Sequence, residues 1–147
     1  MPHIAAYQPD IPQNLGALMR LSVCFNTQLH VIEPCGFPFS AKAVRKAAMD
    51  YAADADVIAH SSWTRFLADR PNGRLVLMTT KGAMPLWDHQ FRADDIILMG
   101  RESAGVPDEV HDAADSRLLI PMPGGGRSLN IAMAAGITIA EASRQLR

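Results

Sequence analysis

No single kind of charge dominates the 147 residues: 14 Lys and Arg stand against 15 Asp and Glu, a net charge of −1. Composition therefore casts no vote for nucleic acid or a membrane as partner, and any cationic site must be a local patch. Cysteine is also scarce. Cys24 and Cys35 are the two thiols, without the spacing of a metal site, and the five histidines are scattered and never paired at helical spacing. A reduced cytoplasmic protein with buried thiols and no bound metal is expected. No stretch approaches about 18 consecutive apolar residues, so no segment is expected to span a membrane. The opening MPHIAAYQPD lacks a basic start ahead of an apolar core, so no secretory signal is expected either. What the chain does have is apolar content, 48% of its residues. A chain of this length can bury roughly 68–70% of the surface it exposes when unfolded, so one domain over residues 1–147 needs no metal or disulfide staple.

Short apolar runs alternate with helical patterns along the chain. HIAAY reads as the first strand, stopped by Pro9 and Pro12, and Asn14 is placed to cap a helix carrying Leu15, Leu18, Met19, Ser22 and Phe25. QLHVIE is a second strand. AKAVRKAAMDY predicts a helix with Lys42, Arg45 and Lys46 on one face. DVIAH predicts a strand, and SSWTRFLAD a helix capped by Ser61 or Ser62. RLVLMTT and DIILMG are continuous apolar runs, as in parallel strands buried on both faces. KGAMPLWDHQF between them predicts a loop with a turn of helix. VPDEVHDAA predicts a short helix with Pro107 near its first turn, SRLLIP a sixth strand, and the last helix runs from about Ser128 to Leu146. This order predicts an α/β fold, a mainly parallel sheet of about six strands flanked by helices. Ligands in such sheets sit beyond the carboxyl ends of the strands, which singles out the turns TTKG, GRESAG and PMPGGGRS.

The last of these turns resembles a phosphate loop only superficially. Its basic-hydroxyl triplet is Gly126, Arg127 and Ser128, with Pro121 where the loop's first glycine belongs, and the planar arginine fork does not replace a lysine point charge. A dinucleotide fingerprint fails at Leu129, which stands where a third glycine is required. Two readings remain open. One is a flexible connection in which Ser128 or Asn130 caps the last helix. The other is a ligand loop, because Pro121 and Pro123 remove donors while the carbonyls of Ile120 and Met122 stay available.

YQPDIPQNLGALMRL carries Asn14, Gly16 and Arg20 in N-x-G-x-x-x-R spacing, and ILMGRESAGVP carries Gly100, Glu102, Gly105 and Pro107. LLIPMPGGGRSLNIAMAAG carries Ile120, Pro121, Met122, Ser128, Leu129 and Asn130. Taken together, these three stretches resemble the SPOUT family of knotted RNA ribose methyltransferases. HVIEPCGF, AAMDY and TTKG are similar to the subgroup that methylates the wobble cytidine or uridine of tRNA at position 34. The resemblance implies a deep trefoil knot at the C-terminal end, which no periodicity reveals and which general topology makes very rare. It implies that the glycine loop wraps S-adenosylmethionine, with Met78, Gly100, Ile120, Met122 and Ser128 in the cofactor wall. It implies a tRNA substrate and a homodimer formed through the first and last helices. Arg101 stands where the family usually has proline, and Gly124 to Gly126 stand where it has polar residues.

Methyl transfer to a ribose 2′-hydroxyl needs an oxygen in line behind the sulfonium methyl, so positioning supplies much of the rate and no metal is required. Arg20, Glu102, Asn14 and Asn130 are the catalytic candidates on this resemblance. Arg20 is awkward as a base, because guanidinium stays protonated, and is better suited to bind a phosphate and stabilise alkoxide charge. Lys42, Arg45 and Lys46 form the candidate RNA-backbone patch. A ribosomal RNA or another tRNA position as substrate, and a non-catalytic small-ligand module, are the competing expectations.

Overall fold

The computed structural model describes residues 1–40, 42 and 54–147. Its elements in chain order are β1 (His3–Tyr7), α1 (Pro12–Cys24), β2 (Leu29–Ile32), β3 (Val57–His60), α2 (Trp63–Asp69), β4 (Leu75–Met78), β5 (Met84–Pro85), a 3-10 turn (Leu86–Asp88), β6 (Ile96–Met99), α3 (Asp108–Ala113), β7 (Ser116–Leu119) and α4 (Ile131–Leu146). The helix expected over AKAVRKAAMDY lies outside the described residues except for Lys42, which is exposed.

The strands form one sheet in the order β3-β2-β1-β6-β4-β7-β5, every pair parallel. That is seven strands among the described residues, against the six expected. The seventh, β5, pairs only as Met84 with Leu118 and Pro85 with Leu119. Two residues carry too little periodicity to be read as a strand, so the pairing with β7 alone defines it.

Alternation along the strands makes two cores. Ile4 and Ala6 of β1 and Ile97 and Met99 of β6 pack with Leu15, Leu18 and Met19 of α1 and Ala135, Ile139 and Ala142 of α4. Ala5 and Tyr7, and Ile96 and Leu98, pack on the other face with Trp63 and Phe66 of α2 and Val110 and Ala114 around α3. Successive side chains of a strand point to opposite faces, so runs apolar at every position must be covered by helices on both sides. The small-sided last helix lies against α1 of its own chain: a Cβ on Gly136 would stand 3.9 Å from Leu21 Cδ1.

Three local expectations are corrected. Asn14 does not cap α1, which begins at Pro12 behind Ile11 without a side-chain cap. Proline's fixed φ suits the first helical position, so the helix starts three residues earlier and Asn14 points elsewhere. α4 begins at Ile131, not Ser128, with Asn130 as its cap. Cys24, expected to be buried, is exposed at the end of α1, and Cys35 is half-buried. Ser62 caps α2, its Oγ accepting from Arg65 N at 3.1 Å.

Candidate active site

At the carboxyl ends of β4, β6 and β7 lies a cleft of 660 Å³, the size of a nucleoside or drug-sized ligand site. Its wall takes Met78 from the end of β4, Gly100 and Glu102 from the loop after β6, Ile120, Met122, Ser128 and Asn130 from the loop after β7, and Asn14 from α1. Eight of the nine residues expected at a catalytic or cofactor site thus share one cavity.

Side-chain hydrogen bonds tie the three motifs together. Glu102 Oε2 accepts from the backbone N of Asp10 at 2.6 Å, and its Oε1 accepts from Asn14 Nδ2 at 3.3 Å. Asn14 Oδ1 in turn accepts from Asn130 Nδ2 at 2.8 Å. Asn130 Oδ1 accepts from the N of Ala132 at 2.9 Å and of Met133 at 3.3 Å, capping α4. An asparagine amide presents both a donor and an acceptor end. Asn14 uses both, which makes it the link between the other two. It is buried, at 8% exposure, where an unsatisfied amide would be costly. The loops after β1 and β6 are joined again where Asp10 Oδ2 accepts from Ser103 N at 3.1 Å. The Ser103 hydroxyl and backbone bonds hold the Asp10 carboxyl below its ordinary pKa.

The loop after β6 is a tight turn closed by Arg101 N to Gly105 O and Gly105 N to Arg101 O, both 3.0 Å. A Cβ at Gly100 would stand 3.0 Å from the Gly105 backbone, and Gly105 itself has φ +61°; glycine is required at both places. Arg101 turns back on this loop. Its Nε donates to Gly105 O at 2.9 Å, and its guanidinium lies 5.5 Å from the centre of the Tyr7 ring. Burial pushes the Tyr7 hydroxyl above its ordinary pKa. In the glycine run, Gly125 has φ +75° and its N donates to Met122 O at 3.0 Å, so the run is a turn between Met122 and Ser128 of the cleft wall.

Arg20 is not in the cleft wall. It is exposed on α1, six residues beyond Asn14, hence about 9 Å along the axis and about 240° around it. Lys42 is exposed and away from the cleft wall, and Arg45 and Lys46 lie outside the described residues. Sequence reasoning did not name Thr79, Thr80, Lys81, Asp108 or His111, which also line the cleft; the turn TTKG was the signal for the first three. It also missed a string of histidines far apart in the chain. His3 Nδ1 lies 3.2 Å from His30 Nε2, and His30 Nδ1 lies 2.9 Å from His60 Nε2. Strands β1, β2 and β3 bring these rings side by side, His30 and His60 against Phe66. Burial is the main cause that lowers the pKa of all three, His30 to about 4. Among the described residues no group of three or more His, Cys, Asp or Glu could hold a metal ion, and no helix is long and apolar enough to cross a membrane.

The chain is similar along nearly its whole length to proteins of known kind. A tRNA (cytidine(34)-2′-O)-methyltransferase of Beijerinckia indica is 49% identical over 145 residues, covering 97% of this chain and 91% of its own. A structure solved to explain 2-OH methylation of C/U34 on tRNA is 40% identical with a TM-score of 0.92, covering 99% of this chain and 96% of that one. An AdoMet-bound rRNA methyltransferase of Sinorhizobium meliloti is 25% identical with a TM-score of 0.86, covering 99% of this chain and 57% of that one. The profile of the SpoU rRNA methylase family matches residues 1–140, a span that contains all three motifs meeting at the cleft. The chain belongs to the SpoU methylase family.

Proposed function

We propose that this protein transfers the methyl group of S-adenosylmethionine to the ribose 2′-hydroxyl of the wobble cytidine or uridine, position 34, of tRNA. The observation that carries this reading is the cleft in which Glu102, Asn14 and Asn130 join the loops after β1, β6 and β7. Relatives named for that activity match nearly the whole chain and support it. The residues present fit the donor: Met78, Ile120 and Met122 offer an apolar wall for an adenine, and backbone groups of the loop after β7 face the same space. Gly100 lines the same space, and its lack of a side chain lets the Gly105 backbone close against it.

When bound, the donor would supply an electrophilic sulfonium methyl, which the ribose 2′-oxygen would take with the thioether as leaving group and the hydroxyl proton passing to solvent or a nearby acceptor. The chain's own residues position and stabilise. Ser128 orients the ribose side of the donor, and Glu102, held by Asp10 N and Asn14, keeps the loop after β6 in place. Arg20 binds the phosphate next to the target ribose and stabilises the developing alkoxide. Because it lies off the cleft of its own chain, it acts in the cleft of a second copy, in a homodimer that pairs through α1 and α4. Exposed Ile11 and Met133 on these elements suit such a contact. Lys42, Arg45 and Lys46 hold the RNA backbone. The protein works in the cytoplasm without a metal, and its C-terminal segment is threaded as the family's trefoil knot.

Ribose-methylation mapping of total RNA from a deletion strain and its parent tests the substrate. Loss of 2′-O-methylation at tRNA position 34 is expected. A loss confined to ribosomal RNA or to another tRNA position would replace this reading, and no change anywhere would reject it.

A further inference from the structure

We propose that His111 is a positioning residue for the methyl donor, kept in a single tautomer by Arg117 so that it fixes the loop after β4. The inference rests on the reading of the cleft as the donor site. That loop is Thr79 to Gly82, and Thr79, Thr80 and Lys81 form one side of the cleft. Thr79 N donates to Leu118 O at 2.9 Å, Lys81 N donates to Thr79 Oγ1 at 3.2 Å, and the chain turns at Gly82 with φ +59°. The Lys81 carbonyl lies 3.1 Å from His111 Nε2, on α3.

A neutral imidazole carries its proton on one nitrogen, and what the other nitrogen meets decides which. Arg117, on β7, points its Nε at the His111 carbonyl at 3.0 Å and at Nδ1 at 3.3 Å. A guanidinium only donates. Asp112 Oδ1, 3.7 Å from Nδ1, is too far to accept a proton from it, so Nδ1 accepts from Arg117, the proton sits on Nε2, and Nε2 donates to the Lys81 carbonyl. In the other tautomer a lone pair would face that carbonyl. Three segments, β7, α3 and the loop after β4, are thus joined in series by Arg117, His111 and Lys81. A loop fixed before its ligand arrives costs less ordering on binding, so the relay acts on donor affinity. Arg117 does not line the cleft; it reaches the donor site through the end of α3, where it meets His111 and donates from Nη2 to Asp112 O at 3.5 Å.

The test compares the full-length protein with Arg117→Met, His111→Phe and His111→Gln. Calorimetry reads S-adenosylmethionine affinity, steady-state assays on tRNA separate KM from kcat, and 15N shifts read the tautomer. Arg117→Met and His111→Phe are expected to raise the donor Kd and KM about five- to tenfold, the loss of about one hydrogen bond, with kcat within about twofold. His111→Gln, whose amide offers an N–H in place of Nε2, should retain most of the affinity. The wild-type ring should show its proton on Nε2. Unchanged donor Kd in both Arg117→Met and His111→Phe, or a proton on Nδ1, would overturn the inference while leaving the donor site standing. A fall in kcat at unchanged KM would also count against it. A wild-type protein that binds no S-adenosylmethionine overturns the donor site itself.

Discussion

Removing the amide of Asn14 should uncouple the cleft's three motifs, and the size of the effect follows from its partners. Asn14→Ala deletes a 3.3 Å bond to the Glu102 carboxylate and a 2.8 Å bond from Asn130. A bond to a charged group contributes about 1.5–3 kcal/mol and a neutral one about 0.5–1.5 kcal/mol; the longer distance puts the first at its lower end. The sum is about 2–3 kcal/mol, or about 5–10 °C in Tm for a chain near this length. Asn130 has two roles, since its Oδ1 also caps α4, and Asn130→Ser separates them. Serine keeps a capping oxygen but has no amide to donate to Asn14, so it should cost about 1 kcal/mol, whereas Asn130→Ala should cost about 2 kcal/mol. Urea unfolding of Asn14→Ala, Asn130→Ser and the double variant, at one fixed protein concentration, closes a double-mutant cycle. A coupling of about 1 kcal/mol is expected. Additivity within about 0.3 kcal/mol would show that the two amides do not act as one link, and the account of the site built on them would be wrong.

Other consequences are open to direct measurement. Arg20→Ala should keep the fold and donor binding while slowing single-turnover methylation at saturating tRNA by about 10²-fold, with Arg20→Lys restoring part of the rate; near wild-type turnover would remove Arg20 from the chemistry. Light scattering should give the mass of a homodimer at assay concentration, and a monomer with full activity would refute the shared cleft. Folded-state pKa values of His3, His30 and His60 are lowered, His30 to about 4, so the stability they contribute is present above the unfolded value of 6.5 and is lost as pH falls toward 4. For buried His30 alone this amounts to about 3 kcal/mol, and His89, lowered mainly by burial, adds in the same direction. His30→Leu should flatten the stability profile between pH 6.5 and 4, and an unchanged slope would contradict the assignment. Reversing the charges of Lys42, Arg45 and Lys46 should weaken tRNA binding and flatten its salt dependence without changing donor affinity; unaltered tRNA affinity would move the contact surface elsewhere.

Sequence alone determined the alternation of strands and helices, because each rests on local causes: apolar runs such as IILM, proline and glycine stops, a serine before WTRFLAD. It also marked the three turns that form the cleft, since in a parallel sheet the carboxyl ends of the strands are where ligands bind. Tertiary structure decided what those residues do. Asn14 reads as a helix cap until Pro12 starts the helix and Glu102 and Asn130, 88 and 116 residues away, claim its amide. β5 exists only because Leu118 and Leu119 lie beside it. Three histidines with no shared spacing become one string because β1, β2 and β3 are adjacent and each histidine lies diagonally, two residues along, from the one on the strand before. Arg20 keeps the motif spacing of Asn14 yet faces away from it, since six residues of helix turn a side chain to another side. Local patterns follow from neighbouring residues, but a hydrogen-bond partner or a strand neighbour is chosen by long-range packing, which no short window of residues contains.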